Sequence, residues 1–164
     1  MPKLGWLVNQ IDFAVFEQLY DVRSVLECAA IDLLAAAPDL ELRLAPLCGL
    51  WCVEPHLRLH QHEQVSHMDE AFHMDLVRAS GNLEMARIHK DLTERIRVIR
   101  RLEFTRPDRI ATTYAEHAEI LQALLSRDAT QAKALLSRHI SFSLNEVKKI
   151  TLHTVHAARQ KHAA

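Results

Sequence analysis

The chain has 164 residues, 49% hydrophobic and 25% charged, with a net charge of -1 and only 3 Gly and 5 Pro. That length fits one domain with a real core. The near-neutral charge excludes the clustered cationic surface that nucleic-acid binding by this chain alone would need. Cys28, Cys48 and Cys52 form no disulfide framework and read as buried structural thiols in a reducing cytoplasm. The apolar run Leu44 to Val53 is too short for a membrane span, and the N-terminus has no signal-peptide pattern.

The apolar period is helical nearly throughout. A first helix is predicted from about Asp12 to Ala37, with the inward stripe Phe16, Leu19, Tyr20, Arg23, Leu26, Ala30, Leu34. Pro38 and Asp39 end it, and a second helix follows, broken or kinked near Pro46 and Pro55 because proline removes a backbone donor. A third helix is expected from about Gln64 to Ser80, stopped by Gly81-Asn82. A fourth runs from Leu83 to about Phe104, with Ile88, Leu92, Ile96 and Ile99 inward. The fifth begins at Pro107 and ends near Arg127. Asp128 and Gln131 make a capping box for the last, which runs to about Ala158. No strand pattern or repeat is found. The expected fold is all-α, an antiparallel bundle of six to seven helices with an internal metal site.

Several polar residues interrupt the apolar stripes. The third helix reads Val65, Met68, Asp69, Phe72, His73, Leu76, with Asp69 and His73 one turn apart on one face. The fifth reads Ile110, Tyr114, His117, Ile120, Leu121, Leu124, and the last Leu135, Leu136, His139, Phe142, Val147, Ile150. One Asp and three His on core faces is the usual composition of a divalent-metal site. Taken singly, each His is equally well a satisfied core histidine, and Asp69 a buried carboxylate paired with Arg23. Sharper motifs fail. His62 to His67 resembles a zinc-protease helix, but the two His are five apart, about 140° from a shared face. Glu70-Ala71-Phe72-His73 is one element of a di-iron bundle with no second copy. The remaining His (56, 60, 62, 67, 89, 153, 156, 162) read as surface or edge residues.

These residues carry a resemblance. The stretches Asp21 to Ala30, Asp69-Glu70-Ala71-Phe72-His73, Ala79-Ser80-Gly81-Asn82, Glu116 to Leu124, Arg127-Asp128-Ala129 and Ser137-Arg138-His139-Ile140 are similar to the FCD effector domain of the FadR/VanR branch of GntR-type transcription regulators. The resemblance covers about Leu19 to Phe142. It implies that Asp69, His73, His117 and His139 hold one divalent metal, typically zinc, with nickel or manganese also suited to the donors. It implies a small carboxylate effector, with Arg23 and Asn82 as candidate ligand-binding residues. An internal salt bridge to Asp69 or Glu27 would occupy Arg23 equally well, and a helix cap Asn82. It further implies a homodimer, no enzyme activity, no membrane partner, and DNA binding only through a winged helix-turn-helix domain absent from this chain. Residues 1–10 would be a remnant of its wing and linker, and 11–160 the effector domain. A metal-dependent hydrolase and a helical dimerisation module with a purely structural metal are the alternatives.

Overall fold

The computed structural model describes residues 13–100 and 107–162, with side chains for 13–97, 100 and 109–149. The proposed wing remnant therefore lies outside the described residues. Six α-helices are described: α1 (Phe13–Ala36), α2 (Leu40–Trp51), α3 (His62–Ala79), α4 (Leu83–Arg100), α5 (Pro107–Leu125) and α6 (Ala129–His162). A single 3-10 turn, Pro55–Leu57, links α2 to α3, and no strand occurs among the described residues. None of the helices, among those residues, is long and apolar enough to cross a membrane.

Side chains satisfy several of the helix ends. Asp128 Oδ1 accepts from Gln131 N at 2.9 Å, as expected of an N-cap. Gly81, at φ 86°, ends α3 in the left-handed region that glycine adopts without strain. Arg127, also left-handed at φ 56°, donates from NH1 to Ala35 O (2.9 Å) and Ala37 O (3.0 Å), covering carbonyls at the end of α1. Arg43 does the same for Ala79 O at 3.0 Å.

Helix α1 packs on α3, α4 and α6, while α5 packs on α2 and α6. Trp51, Phe72, Tyr114, Leu44, Ile96 and Leu136 are among the buried core. The predicted stripe of α5 is buried at every position. Several details differ from the sequence expectation; none of the cysteines is fully buried, Cys52 being exposed and Cys28 and Cys48 half-buried. Pro46 sits inside a continuous α2; it is exposed, so the carbonyl it leaves unbonded, on the exposed Leu42, faces water. Along α1 it is Glu27, not Leu26, that is fully buried. In α4 the inward residue is His89 at 0% exposure, while Ile88 is 39% exposed. On α6 Ser143 is buried and Phe142 is 42% exposed, under the Arg109 guanidinium. Ile99 and Ile150 lie outside the described side chains.

Candidate metal centre

Asp69, His73, His117 and His139 meet in the bundle interior, all four buried. One donor atom from each lies within 4.8 Å of every other. Helix α3 supplies two donors because a four-residue spacing stacks Asp69 and His73 on one face; α5 and α6 supply one each. The histidines all present Nε2. His73 and His139 approach at 3.2 Å, His117 and His139 at 3.4 Å. Asp69 Oδ1 lies 3.3 Å from His117, 3.7 Å from His73 and 3.9 Å from His139. Four donors at about 2.1 Å from one ion in a tetrahedron would be about 3.4 Å apart, and these separations bracket that value.

The surroundings fix where the lone pairs point. His73 Nδ1 donates to Glu27 Oε2 at 2.6 Å, and His139 Nδ1 to Glu116 Oε2 at 2.7 Å. With tautomers assigned from these bonds, neither neutral ring has a proton left for Nε2. Two acceptor nitrogens then face each other across 3.2 Å. A cation between them resolves that conflict, and carboxylate-oriented imidazoles are the common support of metal-bound histidine. On chemistry and spacing the residues fit a divalent ion. His117 is held differently: its Nδ1 has no hydrogen-bond partner. Its ring lies stacked on Phe72 at 3.7 Å and edge-on to Trp51 at 4.2 Å.

The electrostatics favour charged carboxylates at Asp69, Glu27 and Glu116 and neutral imidazoles at His117 and His139. Burial would raise the Asp69 carboxyl, but Arg100 and the neighbouring His117 and His73 hold it well below the usual range. Arg100 donates directly to Asp69 Oδ2. Burial likewise opposes Glu27, yet Arg23, His73 and His89 keep it well below. Glu116 follows the same pattern, its burial outweighed by His139 and Arg109. Burial drives His117 well below its ordinary value against the pull of Asp69, and lowers His139 against its bond to Glu116.

Beyond the four donors, Arg23 is fully buried, and its Nε donates to Glu27 Oε1 at 2.7 Å. Asp69 pairs with Arg100 instead, so of the two expected partners for Arg23 the structure selects Glu27. The outer guanidinium nitrogens of Arg23, NH1 and NH2, are buried with no hydrogen-bond partner. Asn82 is exposed, and its Oδ1 accepts from Met85 N at 3.0 Å as the cap of α4. His89, read from sequence as a surface residue, is fully buried, and its Nε2 donates to Glu27 Oε1 at 2.9 Å. One carboxylate thus gathers Arg23, His73 and His89. Glu27, His89, Arg100 and Glu116 were not singled out from sequence as members of the site.

Comparison with known proteins bears on the family and the fold. Residues 18–142 match the FCD domain family. A curated relative, an uncharacterized HTH-type transcriptional regulator in an unstable DNA locus of Streptomyces ambofaciens, is 25% identical over 159 residues, covering 93% of this chain and 64% of the relative. The chain thus spans just under two thirds of that relative's length. Among solved structures, the fold is similar to the metal-free FCD domain of a protein assigned as a transcriptional regulator, with a TM-score of 0.65 and 20% identity over 88% of this chain and 99% of the other. The family match over most of the chain decides the matter: the chain belongs to the FCD-domain family, a regulatory, non-enzymatic domain of transcription regulators.

Proposed function

We propose that the domain senses a small carboxylate through a divalent metal held by Asp69, His73, His117 and His139. The observation that carries this reading is the convergence of three Nε2 atoms and one carboxylate oxygen in a buried centre, with two of the imidazoles oriented by carboxylates. A divalent ion there would supply positive charge and, by taking more than four ligands, coordination positions for an anionic ligand. Zinc suits the donors, as do nickel and manganese. Arg23 supports the carboxylate half. Two buried NH2 groups without an acceptor are costly unless a ligand meets them, and a guanidinium fork matches a carboxylate's two oxygens. Asn82 is left out of this reading, since its carbonyl oxygen is committed to the cap of α4.

In the whole regulator, ligand binding would shift the placement of paired DNA-binding domains, in a cytoplasmic homodimer whose symmetry suits a palindromic operator. DNA contact belongs to a domain outside this chain. The test is a thermal-shift panel of hydroxy acids, sugar acids and dicarboxylates on metal-loaded wild type, chelator-treated wild type and Arg23→Gln. The sensor reading expects at least one acid to raise Tm only in the metal-loaded wild type. A purely structural metal predicts no shift with any acid.

A further inference from the structure

A second cavity opens where the segment after α2 and the start of α3 lie against α5. It holds about 240 Å³ and is lined by Arg58, His60 and His62 beside Ile110, Ala111 and Tyr114. Arg58 is half-buried, with its guanidinium 5.2 Å from the Tyr114 ring centroid. Its guanidinium makes a long hydrogen bond, Nε to Val53 O at 3.4 Å. Among the described residues most arginines are ion-paired, whereas Arg58 has no carboxylate partner. Glu54 and Glu63 adjoin these residues in sequence, but no acidic side chain lines the cavity.

The remaining walls are largely apolar. Tyr114 is 1% exposed, and its hydroxyl accepts from Leu59 N at 3.2 Å, tying the segment that carries Arg58 and His60 to α5. No side chain caps the first turn of α3, although Glu63 in that turn offsets part of the helix's positive end. An unpaired arginine over an aromatic ring, two imidazoles and no carboxylate select for negative charge, and the Ile110, Ala111 and Tyr114 walls select for an apolar body.

We infer that this cavity is a second ligand site, separate from the histidine centre, that takes a small organic anion: an oxyanion head against Arg58 and His60 and an apolar body against Tyr114. The site also has a physical route to the centre. Tyr114 packs on Trp51 at 4.9 Å, and Trp51 on His117 at 4.2 Å. An occupant would therefore rest against Tyr114, which packs on the ring that holds one of the four donors. The inference does not depend on a metal being bound.

The test is isothermal titration of benzoate, with inorganic phosphate as the control lacking an apolar body. The proteins are wild type, Arg58→Gln, Ala111→Phe to fill the cavity while keeping its charge, and His139→Ala to disable the centre from the far helix. Far-UV circular dichroism checks that each is folded. The expected result is a benzoate site in wild type and in His139→Ala that weakens about tenfold in Arg58→Gln, the loss of one charge-assisted bond, and disappears in Ala111→Phe. Phosphate should bind more weakly than benzoate. Benzoate binding that is unchanged in both cavity variants, or lost in His139→Ala, would overturn the proposal. So would phosphate binding as tight as benzoate.

Discussion

His73 and His117 aim the same atom at the same point, yet they are held by opposite means. His73 is fixed by a hydrogen bond to a buried carboxylate that also binds Arg23 and His89. His117 has no such bond and is clamped between Phe72 and Trp51. On one side of the centre orientation depends on charge and proton position; on the other it depends on shape. The two sides should therefore fail differently. The polar side should respond to isosteric changes of charge and to pH, the packed side to changes of volume.

The largest expected effect joins both sides. Asp69→Ala removes a donor and takes from buried Arg100 its carboxylate. Breaking a buried pair costs about 3–5 kcal/mol, so the variant should unfold at much lower denaturant and bind no metal. Near-wild-type stability in urea would break the account of the polar side. Trp51→Ala should cost a similar ~3–5 kcal/mol through the cavity it leaves. In the folded fraction the loss of metal should trace to misplacement of His117, and Trp51→Phe should recover most of both.

Glu27→Gln keeps the volume and removes the charge. Loss of such a support typically lowers metal affinity by about 10–100-fold, measurable by competition with a chromophoric chelator. An equal loss in Phe72→Leu, with no preference for the polar side, would blur the distinction drawn above.

The pH dependence of the metal-free protein follows from the same groups. His117 and His139 sit below their unfolded value of about 6.5, so the unfolded chain binds more protons in the window beneath it. Their contribution to stability is complete above that value and is lost as pH falls through the folded values. Asp69, Glu27 and Glu116 are also depressed. Theirs is complete above the unfolded carboxylate values near ~4 and is lost at still lower pH. Urea midpoints should therefore decline from about pH 6.5 downward and fall again below about pH 4. The smallest effect is far from the centre: Asp128→Ala should cost about 1 kcal/mol through its cap, with metal binding unchanged.

The four donors were legible because each interrupts an apolar stripe whose period is strong, as in α5, where every predicted inward residue is buried. The supporting residues were not, because their cause is non-local. Leu26 and Glu27, like Ile88 and His89, are neighbours about 100° apart on their helices. Hydrophobicity alone turns each helix toward the apolar member of the pair. The structure turns both toward the polar member, because Glu27 and His89, 62 residues apart, satisfy each other. A usable signal did exist: Glu27 follows Arg23 by four residues, and Thr93 follows His89 by four, marking a second polar face on each helix. Arg100 as the partner of Asp69 has no local signature.

The most direct test of the central claim is metal content. Protein purified without a nickel column would be analysed by plasma mass spectrometry, comparing wild type with a folded His117→Ala. The account predicts about one divalent ion per chain in wild type, bound by the four donors, and its loss in the variant. Wild-type protein that holds no ion even after reloading, or a variant that holds it as tightly, would contradict the assignment.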